Sequence, residues 1–199
     1  MFRGNKPVLI LPAILAVVML FGGYQFLQGS EAITNEELQD VIELELETTK
    51  TEQGVEIAAN WDWTVMPAEG LYGEDYIGIV IMERETMTPR TDIEVEKALL
   101  ELLYADRTIE QSEGTVVENG IIFPFSNKLV EHESYGNVGR LRVNVTGEEI
   151  ESEDVVLTFL HTWTEHAPLE KTDALLSSPT FTGAANVPHW GLRISQKEE

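Results

Sequence analysis

VIELELETTKTEQGVEIAANWDWTV, residues 41–65, reads as two strands and the turn that joins them. Ile42, Leu44 and Leu46 alternate with Glu43, Glu45 and Glu47, one apolar face and one charged face at the two-residue period of a β-strand. Thr51-Glu52-Gln53-Gly54 interrupts the alternation, and Val55, Ile57, Ala59, Trp61, Trp63 and Val65 resume it. Residues 40–66 are therefore expected to form a long β-hairpin, with one face in a core and the other in water.

Downstream, Met66–Asp75 holds a proline and two glycines and reads as a loop, and Tyr76–Met82 is a nearly continuous apolar run suited to a central strand. Thr91-x-x-Glu94 has the form of a helix capping box. Val95, Ala98, Leu99, Leu102 and Leu103 follow at helical spacing, which predicts a packed amphipathic helix over 92–105. Asn119-Gly120 between two apolar runs predicts a hairpin in 114–125 through a type I′ turn, with Pro124 ending the strand or marking an edge. Val138–Val145, Val155–Trp163 and Trp190–Ser195 read as strands, separated by the acidic connection 148–154 and the long irregular segment 164–189. About eight strands and one helix predict a mainly β fold, an antiparallel β-sandwich of immunoglobulin-like or α+β type with the helix packed on it.

Upstream, Pro7–Leu27 is an uncharged run about as long as the roughly 20 residues that cross a bilayer as a helix. Arg3 and Lys6 precede it and the next charge is Glu31, so the positive-inside bias keeps residues 1–6 in the cytoplasm and exports the chain beyond Leu27. A cleaved signal peptide is the rival reading, with small residues at Ser30-Glu31-Ala32. Signal-peptide cores are shorter, about 7–15 residues, and Tyr24 and Phe26 stand where interfacial aromatics sit. The expected organisation is a cytoplasmic N-terminus over 1–6, a single-pass transmembrane anchor over 7–27, a stalk over 28–39 and an extracytoplasmic β-rich domain over 40–199. Thr34-x-x-Glu37 fits a capping box within the stalk.

Charge sets the surface. The chain carries 13 basic and 35 acidic residues, a formal net charge of −22. Such a surface repels nucleic acid and attracts cations and basic partners, so no nucleic-acid partner is expected. Without cysteine there is no lipobox, no disulfide and no thiol nucleophile, and the exported domain must be held by its core. This composition is the one expected of a bacterial cell-envelope protein.

Three groups of residues invite a functional reading. His161 and His166 flank a strand end in LHTWTEHAP, with His132 and His189 elsewhere, and two imidazoles joined by Met66, Met82 or Met87 suit copper or another divalent ion. Their spacing matches no zinc motif. Trp61 and Trp63 share a strand face and, with Trp163, suit a stacking surface for a ligand or partner, although core burial is the commoner fate of alternating tryptophans. The acidic stretches 69–75 and 148–154 lack the calcium-loop pattern. There is no Gly-x-Ser-x-Gly, phosphate loop or His-Glu-x-x-His, and Ser177 or Ser178 beside a histidine is a set that any chain of this size offers. The expectation is a membrane-anchored binding or interaction module with no catalytic residues and no cofactor, meeting a protein or cell-wall partner. The alternative is a metal-handling protein built on His161 and His166.

Overall fold

The computed structural model describes residues 14–21, 33–63, 65–184 and 186–196. The chain divides into two compact units, Met1–Ile33 and Thr34–Glu199. In the first, residues 14–21 are α-helical and exposed. Among the described residues no helix is long and apolar enough to cross a membrane, and the rest of the expected span, 7–13 and 22–27, lies outside them.

The second unit is built of β-strands: β1 Glu43–Lys50, β2 Gly54–Asp62, β3 Glu74–Glu83, β4 Thr88–Pro89, β5 Glu94–Tyr104, β6 Arg107–Glu113, β7 Thr115–Val117, β8 Gly120–Ser126, β9 Lys128–Val130, β10 Glu133–Tyr135, β11 Val138–Thr146, β12 Val155–Thr162 and β13 His189–Ser195. They form two antiparallel sheets, in the orders β1-β2-β11-β5-β6 and β13-β12-β3-β8-β7, with β4 beside β3 and β9-β10 as a separate ribbon. Residues from the inner faces of both sheets share one core, which includes Ile57, Trp61, Leu141 and Val143 from the first and Ile77, Ile79, Phe123 and Phe159 from the second. Each such buried side chain contributes roughly 1.5–3 kcal/mol of transfer free energy. The arrangement is sandwich-like.

The hairpin of residues 40–66 forms as its alternation requires, with Leu44 opposite Trp61 and Leu46 opposite Ala59. Across β11 the partner of Trp61 is Gly139, where an added Cβ would come within 2.2 Å of the indole, so the ring lies over a position that only glycine leaves open. β3 sits in the middle of its sheet and is buried on both faces, as the apolar run implies. The unit begins before residue 40: Thr34 and Glu37 exchange capping-box bonds ahead of a 3-10 turn over Glu37–Asp40, and Asn35 and Leu38, expected in the stalk, are fully buried.

The predicted amphipathic helix over 92–105 is not formed. Glu94–Tyr104 is strand β5, paired with both β11 and β6. The helical spacing has a local cause. The register shifts between Asn144 and Val145, so that Val95 and Lys97 oppose consecutive residues of β11 and Glu96 is the extra residue of a bulge. Val95 and Ala98 thereby fall three apart while Leu100 and Leu102 continue at two, and the combined pattern imitates one helix face. Tertiary pairing outweighed the leucine-rich propensity. The hairpin at 114–125 forms with its turn one residue earlier than expected: Val117 pairs with Gly120, and the connecting residues are Glu118 and Asn119, neither at positive φ. Pro124 pairs toward β3 beyond the end of β7, where its missing N–H faces no strand.

The irregular segment 164–188 covers the outer face of the second sheet. Its Leu169, Ala174, Leu176 and Phe181 bury a second core with Tyr76, Val80, Ile122 and Leu160. Gly78 makes the seat, since a Cβ there would lie 1.9 Å from the Ala174 carbonyl oxygen. Tyr76 adds a tie, its hydroxyl accepting from the Leu169 N–H at 3.0 Å and donating to Glu74. Burial first, then the neighbouring Glu74 carboxylate, hold this phenol well above its usual range.

Candidate functional site

The residues singled out from sequence converge on the two sides of β12. Val155, Leu157, Phe159 and His161 point into the sandwich, and Thr158, Leu160 and Thr162 point the other way.

On the inner side His161 is fully buried beside Asp75, also fully buried, with Nδ1 and Oδ2 2.8 Å apart. The other Asp75 oxygen accepts from the Thr162 N–H at 2.8 Å and from Asn127 Nδ2 at 3.1 Å. His161 Nε2 lies 3.1 Å from Asn35 Oδ1. Asn35 donates both amide hydrogens, to Glu69 and to the Gly70 carbonyl, so its Oδ1 is an acceptor and His161 Nε2 carries a hydrogen. A second hydrogen lies between Nδ1 and Asp75 Oδ2. Three indoles enclose the imidazole: Trp63 edge-on at 5.7 Å, Trp163 stacked at 5.8 Å and Trp190 tilted at 4.9 Å between ring centres. Trp190 Nε1 donates to the Asn35 carbonyl at 2.7 Å. Both imidazole nitrogens are committed to the protein, so the cluster is a structural joint that fastens the start of the unit to β3, β12 and β13.

His166 stands close by and is committed too, with Nε2 2.8 Å from Thr162 Oγ1 and Nδ1 2.8 Å from the Ala167 carbonyl oxygen. A metal at His161 or His166 would have to displace these partners. His132 lies in the β9–β10 turn and His189 opens β13. Met82 packs against the second core, and Met66 and Met87 are exposed. Among the described residues no group of three or more His, Asp or Glu side chains is placed to hold a metal ion. Trp61 and Trp63 are both 2% exposed and pack on Phe159, which leaves neither a free face, while Trp163 is half-buried against His161. The acidic stretches act as partners within the fold: Glu69 holds Asn35, Glu151 pairs with Lys50, and Asp154 takes a two-bond clasp from Arg84.

On the outer side β12 and β13 present the rows Thr162–His189, Leu160–Gly191 and Thr158–Arg193. The segment 164–188 buries Thr162, Leu160 and Thr158 of β12 but leaves His189, Gly191 and Arg193 of β13 exposed. A groove of about 410 Å³ runs between β13 and Leu176, Ser177 and Pro179, floored by Leu160 and Gly191, with His189 and Arg193 on its lining. At Gly191 an added Cβ would meet only the Phe159 carbonyl oxygen, at 3.9 Å, so the absent side chain opens the floor. A second cavity of about 260 Å³, lined by Phe181, Val187 and Pro188, shares Pro179 and His189 with the first.

No acid lines either cavity, on a chain of net charge −22. The other three described cavities each carry at least two carboxylates. The largest, about 560 Å³, is formed by the turns 50–54 and 147–150 with Glu52, Glu148 and Glu149. Arg193 is pinned by neutral oxygens, Nη2 donating to Ser177 Oγ at 2.9 Å and to the Leu175 carbonyl at 3.1 Å, with Nε 3.3 Å from Thr158 Oγ1. Among the described residues Nη1 donates to no protein atom, and no carboxylate lies within ion-pair distance of this guanidinium. Sequence reading missed Arg193 and Gly191, and named Ser177 only beside a histidine, as a set of no weight. Their signal was weak: the run 186–196 is free of acids in a chain otherwise dense with them.

No protein-family model matches the chain, and no curated protein matches it either.

Proposed function

We propose that the chain is a membrane-anchored extracytoplasmic binding module of the cell envelope, whose β-sandwich, of immunoglobulin-like or related type, takes a partner in the groove between β13 and residues 175–188. The observation that carries this reading is the groove's charge. A site for a basic partner or a cation would keep the carboxylates found in the other described cavities, whereas this one mixes polar and apolar side chains, holds no acid and is fitted with a pre-positioned arginine. Sandwich domains commonly bind at loops and edges carried on a rigid core, and the two cores here provide that rigidity. The uncharged run 7–27 behind Arg3 and Lys6 supplies the membrane address.

Photo-crosslinking in the native membrane tests it. A benzophenone side chain at Ser177 should trap a defined partner, one at Glu47 on the opposite sheet should not, and Arg193→Glu should abolish the Ser177 product. Equal trapping from both positions, or a Ser177 product indifferent to Arg193→Glu, would sink the reading.

A further inference from the structure

We infer that the partner enters as an extended peptide segment bearing a carboxylate side chain, adding as a strand to β13; this rests on the groove being the binding site. Among the described residues β13 is the end strand of its sheet and pairs only with β12. Its outer edge therefore presents unpaired N–H and C=O groups to any incoming strand. The other edges are guarded. β1 carries Glu43, Glu45 and Glu47 on its wet face, β6 carries Glu110 and Glu113, and β7 is three residues long. Charged side chains and shortness are the usual defences of an exposed edge. β13 is seven residues long and its outward residues are His189, Gly191, Arg193 and Ser195, so it carries a single fixed charge, positive, and no acid.

Side chains of an added strand alternate between faces, so every second one would lie over the outer face of β13, beside the groove. The residue nearest Gly191 finds the space that its missing side chain leaves in a groove also lined by Leu176 and Pro179, which suits an apolar side chain. Two residues along, the neighbour of Arg193 meets a guanidinium already held by Ser177 and the Leu175 carbonyl, with Nη1 still available to donate. A carboxylate satisfies that donor by an ion-paired bond, a neutral amide oxygen accepts a weaker one, and a basic side chain accepts none. A second copy of this chain is disfavoured as the occupant by the mutual repulsion of two molecules of charge −22.

The experiment uses the full chain in detergent micelles and fluorescein-labelled heptapeptides of alternating valine and threonine, with glutamate or glutamine in place of one valine, two residues from the next valine and so on the same face. Anisotropy should show saturable binding of the glutamate peptide, about tenfold weaker for the glutamine peptide and for Arg193→Gln. Gly191→Val, which fills the floor without a backbone clash, should weaken both peptides. Hydrogen exchange should show protection over 189–195 on binding. Equal affinity for the two peptides, or none at millimolar concentration, would overturn the carboxylate assignment. Protection confined to 164–188 would overturn strand addition while leaving the groove as the site. Protection of β1 with a doubled mass would replace the peptide by a second copy. Thermal melts show that each variant is folded.

Discussion

The two sides of β12 solve opposite problems with similar residues. On the inner side a histidine, an aspartate and two asparagines are buried, and both imidazole nitrogens are bonded, while Asn127 Oδ1 and the Trp63 indole N–H beside them find no partner among the described residues. On the outer side a histidine and an arginine stand in a groove, and donors remain open. The difference teaches where a polar residue in a β-sandwich serves the fold and where it is free to serve a partner. Burial makes an unpaired polar group costly, so the imidazole and the carboxylate of the inner side are tied down, while at the sheet margin water bears that cost until a ligand replaces it.

The largest break in this contrast is expected on the inner side. Asp75→Ala leaves His161 without its acidic partner in a fully buried site, and removing one member of a buried pair costs about 3–5 kcal/mol. Urea unfolding should show that loss as a fall in midpoint of the whole unit. A loss under about 1 kcal/mol would mean that the joint is less closed than its bonds imply.

Gly78→Ala separates the faces more finely. Its Cβ collides with the Ala174 carbonyl, so the cover must lift, at a cost of about 1–3 kcal/mol. Limited proteolysis should cut within 164–188, and the groove, walled by Leu176 and Ser177, should lose peptide binding, while the inner core keeps its tryptophan fluorescence. Loss of that fluorescence would show that the two cores unfold as one.

The smallest effect lies away from both sides, on the wet face of the first sheet. Arg140, first, and Gln111, second, hold the Glu101 carboxyl below its ordinary value of 4.5. A carboxyl with a lowered folded value stabilises above its ordinary value, and that contribution is lost as pH falls through the folded one. Arg140→Gln should therefore cost about 0.5 kcal/mol at neutral pH, and the difference should shrink as pH drops below 4.5. A gap that stays constant with pH would assign the effect to packing of the arginine stem instead.

Much of the fold was legible because its signals are local. The alternation in 41–63, the doubly buried β3 and the strands at 138–146 and 155–162 each announce themselves within one segment. β5 was illegible for a specific reason: one bulged residue turned a two-residue period into the likeness of 3.6, and only pairing with β11 and β6 reveals it. The turn at Glu118–Asn119 was displaced because Asn119 is committed elsewhere, bonding Asp173 and the Ala174 N–H of the cover. His161 stood out as a residue type, but its role depends on Asn35, 126 positions away, and no spacing rule spans that distance. Arg193 and Gly191 were passed over, and Ser177 given no weight, because each is ordinary alone and notable only in one groove.

Hydrophobic period and composition, read from the sequence by itself, determined a mainly β unit, no disulfide, a strongly acidic chain and a long apolar run ahead of the strands. Those properties are sums over neighbouring residues, and the chain states them without folding. Tertiary structure alone decided that 94–104 is a strand, that the irregular segment is a cover, and that His161 is a joint while Arg193 lines a groove. Each of these depends on which distant residue supplies the missing hydrogen bond or fills the adjacent space, and only the folded chain settles that.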